Sequence, residues 1–225
     1  MKNIKARTPP RVLGYLETEL EKDELDYIQK CIGKRRKRMN ERLAGNIKAS
    51  YELEDTDNWF FNKVLIPQCQ IYAEQFCNMG ARIPTSGSHR IRLQNWWVNY
   101  QRQGEFNPSH NHYGIYSFVI WLKIPTEYKD QKLKPEAKNS NSMAVSNFQI
   151  HYSNILGEHD SCFYELDKSY EGRMLFFPSQ LKHQVYPFYK CNKERISVAG
   201  NLEFDTSSIQ EQLRNVTEIS KPIQL

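Results

Sequence analysis

Residues 92–125 read RLQNWWVNYQRQGEFNPSHNHYGIYSFVIWLKIP. Two aromatic and β-branched stretches, IRLQNWWVNYQ from residue 91 and YSFVIWLKIP from residue 116, flank a turn-rich loop carrying His110-Asn111-His112. The same texture continues to residue 204. NFQIHYSNIL, CFYEL, GRMLFFPS, HQVYPFY and RISVAGNLEF are short runs separated by Gly, Pro, Asn, Asp and Ser, and each reads as a strand. Residues 1–90 read as helix and loop. LDYIQKCI has helical apolar spacing, with Thr18 or Asp23 as its cap. WFFNKVLIPQCQIYAEQFCNMG, after Asp57-Asn58, reads as a long amphipathic helix, kinked or split at Pro67 and ending at Gly80. Helices followed by short strands predict an α+β chain, a β-sandwich or jelly roll braced by N-terminal helices.

The length of 225 residues suits one domain with a sizeable core: a helical part at 1–90, a strand-rich core at 91–205 and a polar tail at 206–225. Mean hydropathy is −0.73, and no apolar run approaches membrane-spanning length. The N-terminus lacks the apolar stretch of a secretory signal. Five cysteines without CxxC predict neither a disulfide framework nor a zinc ribbon, and Cys31, Cys69 and Cys77 read as small buried hydrophobes. A cytoplasmic, reducing location is expected. The net charge of +5 suits an anionic cosubstrate and does not itself point to nucleic acid. GKRRKR at 33–38 reads as a solvated loop, and Trp96 and Trp97 as core and rim of a sheet. The polar insertion 126–147 predicts a mobile loop, either a lid near the site or plain solvated surface.

Close-set imidazoles with a distant third can make a three-point metal site. Residues i and i+2 of an extended segment point the same way, so His110 and His112 can converge on one ion. His183, after the strand-like LFFP, supplies the third ligand. Ligating imidazoles must be neutral, so affinity is expected to fall below about pH 6. The better-known triad is two His and one carboxylate, and here His112 stands in the carboxylate's place. Glu105 and Asp160 lack ligand spacing, and His89, His151 and His159 take surface or lining roles. Twelve residues beyond His183, Arg195-Ile196-Ser197 opens an alternating apolar strand. An inward Arg there is costly unless paired. The carboxylate of an acidic cosubstrate would pair it through two parallel hydrogen bonds, with Ser197 as a third donor. The blander readings are histidines that only satisfy hydrogen bonds and an edge-strand arginine in solvent.

The segments 92–125 and 172–204 resemble the core of the 2-oxoglutarate/Fe(II)-dependent dioxygenase superfamily. They most resemble oxygenases of marine bacteriophages, which share W-x-N…G…H-x-H, and LAGNIKASYELEDTDNWFF is similar to the N-terminal part of those proteins. The resemblance implies a double-stranded β-helix, a cupin-like jelly roll with the metal in its mouth. It implies Fe(II) on His110, His112 and His183, and the distal carboxylate of 2-oxoglutarate on Arg195 and Ser197. Tyr100 is placed like a cosubstrate-binding tyrosine of prolyl hydroxylases. Asn99 is its neighbour on the opposite strand face, so one of the two points inward. Trp121 falls where relatives carry a cosubstrate-touching tyrosine, with Lys123 or Ser117 sharing that role. The implied activity uses 2-oxoglutarate and O₂ to hydroxylate a C–H bond, in a protein or peptide side chain such as proline. A small metabolite or nucleobase is the next substrate class. A cupin-like metal-binding structural or interaction protein of a phage, without turnover, is the non-enzyme alternative. Neither nucleic acid nor a membrane is an expected partner, and a phage-encoded chain would act in its host's cytoplasm.

Overall fold

Two of the alternating aromatic runs, IRLQNWWVNYQ and RISVAGNLEF, are strands from first residue to last, and the other runs form strands that are shorter than the sequence marks or shifted along it. The computed structural model describes residues 13–35, 37–39, 43–83 and 90–206. The expectations for the N-terminal leader, Arg36, His89 and the tail from residue 207 lie outside the described residues. In chain order the strands are β1 (Leu16–Glu19), β2 (Ser50–Glu52), β3 (Ile91–Gln101), β4 (Asn107–His110), β5 (Tyr116–Lys123), β6 (Phe148–Ser153), β7 (His159–Tyr164), β8 (Arg173–Pro178), β9 (His183–Val185) and β10 (Arg195–Phe204). The helices are α1 (Lys22–Gly33), α2 (Ile66–Gln75) and α3 (Tyr128–Lys132).

All strand pairs are antiparallel. One sheet runs β1-β8-β5-β10-β3-β2 and the other β4-β9-β6-β7. From β3 onward the chain alternates between the two sheets, apart from the β6–β7 hairpin, which is jelly-roll connectivity. Strand alternation then separates two cores. Phe118 and Ile120 of β5 pack with Trp96, Val198 and Phe176 against Ile28 of α1 and Tyr72 of α2. Val119 and Trp121 point the other way, into the space between the sheets, with Phe148, Ile150, Leu175 and Phe177. Each fully buried side chain of this size stabilises the fold by about 1.5–3 kcal/mol.

Helix starts differ from the sequence expectation. Thr18 lies in β1, and α1 begins at Lys22 with the Glu24 carboxylate accepting from the Glu21 N–H at 2.8 Å. Asp55, rather than Asp57 or Asn58, anchors the second helical stretch: its carboxylate accepts from the Phe60 and Phe61 N–H groups at 2.9 and 2.8 Å. That stretch splits before Pro67, a π-helical Phe61–Leu65 leading into α2, where proline needs no N–H partner. It ends at Gln75, and Gly80 sits in a separate 3₁₀ turn, Met79–Arg82.

The insertion 126–147 is packed, not a mobile loop. It folds α3 and a small core of Tyr128, Ala137 and Val145. Gln131 and Tyr189 exchange two hydrogen bonds, at 2.8 and 3.0 Å. Its partner surface lies some fifty residues downstream, which local composition does not reveal.

Gly200 on β10 fills a place with no room for a side chain. An added Cβ would lie 2.5 Å from Phe118 Cζ and 2.8 Å from Trp96 Cβ. Gly200→Ala is expected to cost about 1–3 kcal/mol through overpacking. Urea unfolding should show a lower midpoint at unchanged slope. An unaltered midpoint would mean that both rings give way freely.

Candidate metal and cosubstrate site

The Asn107–His110 strand ends at the mouth of the jelly roll, and its ladder sets His110 opposite His183 of β9. His112 follows on the same side. Its N–H donates to the Ser179 carbonyl at 2.8 Å, and Asn111 Nδ2 donates to Gln180 Oε1 at 2.8 Å, so the loop is tied to the chain after β8. Gly114 then turns the chain into β5 at φ +109°, and a Cβ there would meet the Leu202 carbonyl oxygen at 2.5 Å.

The ring centroids of His110 and His183 are 4.4 Å apart, those of His110 and His112 4.9 Å, and those of His112 and His183 5.1 Å. One nitrogen from each ring falls within 4.8 Å of the others, a spacing that one ion can span. His110 Nδ1 lies 2.7 Å from the Pro108 carbonyl and His183 Nδ1 lies 2.9 Å from the Leu181 carbonyl. A carbonyl only accepts, so each Nδ1 carries the proton and each Nε2 keeps its lone pair for a metal. Burial lowers all three imidazoles below the ordinary histidine range, to about 4 for His112 and about 3 for His183, helped in both by the neighbouring His110. The cluster is therefore neutral and ligand-ready at physiological pH. Phe148 and Phe177 pack on His183, and Trp97 packs on His112.

Arg195 opens β10 with its side chain 1% exposed. Nη1 donates to Gln101 Oε1 at 3.3 Å. Nη2 donates to the Ser146 carbonyl at 3.2 Å and to Ser146 Oγ at 2.7 Å. The Phe188 ring lies 5.1 Å from the guanidinium carbon. Nε is buried without a partner, and among the described residues no carboxylate pairs with this cation. Burial pushes the guanidinium down to about 9, the signature of a charge awaiting an anion.

Ser197, Asn99 and Trp121 share one level of the ladder, two residues along β10 from Arg195. Trp121 is buried between the sheets. Asn99 is buried and bonded to Ser50 at 2.6 Å, whereas Tyr100 packs on the helix side beside Tyr51, away from the histidines. Lys123 is exposed at the end of β5, and Ser117 is already bonded to Asn201 at 2.7 Å. Glu105 binds the Lys48 and Arg102 N–H groups, Asp160 lies on the exposed part of β7, and neither joins the cluster. His151 is half-buried on β6 and His159 is exposed. In the basic run, Arg35 stacks over Tyr51 at 5.4 Å. Sequence reasoning missed Gln101 and Ser146. Gln101 had one signal, its position two residues from Asn99 on the same strand face. Ser146 had none.

Residues 95–201 match the family described as "Putative 2OG-Fe(II) oxygenase", and all three histidines and Arg195 lie in that span. Over that span the chain is similar to the 2OG-Fe(II) oxygenases. A solved 2OG-Fe(II) family oxidoreductase from Burkholderia pseudomallei shares the fold at a TM-score of 0.50 and 11% identity, over 86% of this chain and 85% of that one. A Pseudomonas putida prolyl-4-hydroxylase aligns at 0.45 and 14%, over 83% and 91%. A collagen prolyl hydroxylase of Paramecium Bursaria Chlorella virus-1 aligns at 0.46 and 12%, over 84% and 94%. No curated protein matches the chain. A 2OG-Fe(II) oxygenase is an oxidoreductase that needs Fe(II) and 2-oxoglutarate, and the donor set here fits both: three free imidazole lone pairs for the ion, and a buried cation with an unpartnered N–H for the dicarboxylate. Among the described residues no helix is long and apolar enough to cross a membrane.

The burial of the imidazoles revises the pH expectation. The folded site resists protonation of all three imidazoles, so protons compete with metal at lower pH than for free histidines, towards about 4 for His112. Metal affinity should stay nearly level from pH 7 to about 5 and then collapse. In the metal-free oxygenase, the unfolded chain binds protons at about 6.5 while the folded site resists them, so stability should fall progressively below about pH 6.5. Calorimetric titration with Mn(II) and thermal unfolding across that range check both. A metal affinity that already drops tenfold between pH 7 and 6 would contradict the buried, depressed cluster.

Proposed function

We propose that this oxygenase hydroxylates an unactivated C–H bond in a protein or peptide side chain of neutral character, proline being the leading candidate. His110, His112 and His183 hold the iron, and Arg195 with Ser197 holds the distal carboxylate of 2-oxoglutarate. The observation that carries this reading is the pairing, within one jelly roll, of a neutral three-imidazole cluster with a buried guanidinium that lacks a counter-ion. A metal-binding protein without turnover has a use for the first and none for the second. A buried unpaired charge is costly, and an apolar residue of similar volume would serve a structural role better.

Fe(II), 2-oxoglutarate and O₂ together supply two oxidising equivalents: one oxygen atom becomes the substrate hydroxyl, and the other enters the oxoacid, which leaves as succinate and CO₂. The chain's own residues bind, orient and shield. The Pro108 and Leu181 carbonyls hold His110 and His183 in one tautomer and orientation. Trp97, Phe148 and Phe177 wall the cluster against water. Arg195 offers planar two-point recognition that a lysine cannot reproduce.

The space above the histidines supports this substrate class. A cavity of about 320 Å³ is lined by His110, His112, Trp97 and the amides of Gln94, Asn95 and Asn111, with no charged side chain among its described lining. Amides can both donate to and accept from a peptide backbone. A phosphate or a free amino acid would call for charged partners, and the described lining offers amides and imidazoles.

Succinate release with Fe(II) and 2-oxoglutarate, screened against peptide and metabolite pools, tests the activity. Coupled turnover is expected on a neutral peptide. His183→Ala should lose the metal, because two ligands from one loop hold an ion weakly. Arg195→Lys should weaken 2-oxoglutarate by about 1.5–3 kcal/mol, the scale of a hydrogen bond to a charged group, with metal binding unchanged. Stoichiometric metal in His183→Ala, or unchanged 2-oxoglutarate affinity in Arg195→Ala, would remove the assignment.

A further inference from the structure

We propose that Ser146 positions Arg195 for the carboxylate of the cosubstrate, and that binding is transmitted through Ser146 to the 126–147 segment. This rests on the reading of Arg195 as the carboxylate anchor. The residue lies in the polar insertion, outside every motif that marked the site, yet it is fully buried and makes more contacts to Arg195 than any other residue.

Ser146 adopts φ +48°, a left-handed conformation that serine seldom takes. In that conformation its carbonyl and its hydroxyl both accept from the same nitrogen, Nη2. Strain held at a buried polar residue needs surroundings that fix it. Here the Ser146 N–H donates to the Pro187 carbonyl at 2.8 Å, and its Oγ lies 3.1 Å from Thr126 Oγ1. The hydroxyl that accepts from the guanidinium therefore has its own proton free for Thr126. Thr126 and Ser146 are the two ends of the insertion, so this one contact closes its base.

The hydrogen count on the guanidinium gives Ser146 its second role. Nη2 has two hydrogens and both are spent on Ser146. Nε has one, and it is unpartnered. Nε and Nη2 share one edge of the guanidinium, the edge that grips a carboxylate by two parallel bonds. A carboxylate docking there takes the free Nε hydrogen and one Nη2 hydrogen now held by Ser146. The longer carbonyl contact, at 3.2 Å, is the one to yield, while the hydroxyl at 2.7 Å keeps the side chain aimed. Gln101 holds Nη1 from the other side and Phe188 supports the plane. Release of the carbonyl alters the backbone at the base of the insertion, whose small core rests on Tyr189 of the loop that leads into Arg195.

The test uses the full chain loaded with Mn(II). Ser146→Gly tolerates the positive φ and keeps the carbonyl, so it removes only the hydroxyl. Titration calorimetry should show 2-oxoglutarate binding about tenfold weaker in this variant, with Mn(II) affinity unchanged. With Fe(II) in place of Mn(II), steady-state succinate release should show a raised KM for 2-oxoglutarate and a kcat that recovers at saturation. In the wild-type protein, 2-oxoglutarate should change amide hydrogen exchange within 126–147, and the change should be smaller in Ser146→Gly. Wild-type affinity in Ser146→Gly, with binding lost in Arg195→Ala, overturns the positioning role and leaves the anchor standing. Unchanged affinity in both variants overturns the two together. Exchange in 126–147 that ignores 2-oxoglutarate overturns the transmission.

Discussion

The antiparallel register of β4 on β9 sets His110 against His183, and the metal centre depends on it. Side chains alternate along a strand, so a slip of one residue would turn a ligand to the other face. Both strands are short and their own ladder is weak. The register is held from outside: β6 pairs Ile150 with His183, the Ser179 carbonyl takes the His112 N–H, and Phe148 and Phe177 pack on the His183 ring. The two aromatic contacts belong to the core between the sheets, so the packing that stabilises the jelly roll also aims the ligands.

Charge explains the division of labour inside that core. Three neutral imidazoles bring no negative charge to a divalent ion, and Arg195 adds a buried positive one. Neutral acceptors from Ser146 and Gln101 keep the guanidinium tolerable, but burial still lowers it to about 9. Under the proposed assignment a dianionic cosubstrate would compensate both centres at once, one carboxylate towards the ion and one towards the arginine. In the two-His-one-carboxylate arrangement a protein carboxylate shares that task. With His112 in its place, this site leans more heavily on the cosubstrate's own charge.

The fold was legible because it rests on local pattern. Period-two alternation and turn residues gave the bounds of β3 and β10, and HxH with a distant His marked the imidazoles that the structure gathers. What failed to show depends on distant partners. β1 and β2 are four and three residues long and exist as neighbours of longer strands, and the four-residue β4 pairs with the three-residue β9. Asp55 caps a helix from beyond the expected start. The insertion looked too polar to order because Tyr189, which it packs on, lies far along the chain. Tyr100 and Asn99 could not be assigned a face from sequence. The structure turns Asn99 to the inner side and gives Tyr100 to the helices.

The number of imidazole nitrogens on the bound ion tests the central claim most directly. Pulsed EPR on the Fe(II)–nitric oxide complex, prepared with ¹⁵N-histidine protein and 2-oxoglutarate, counts them. Three coupled imidazoles are expected, falling to two in His112→Ala without change in the 2-oxoglutarate signature. Two or fewer in the wild-type protein would contradict a three-histidine centre.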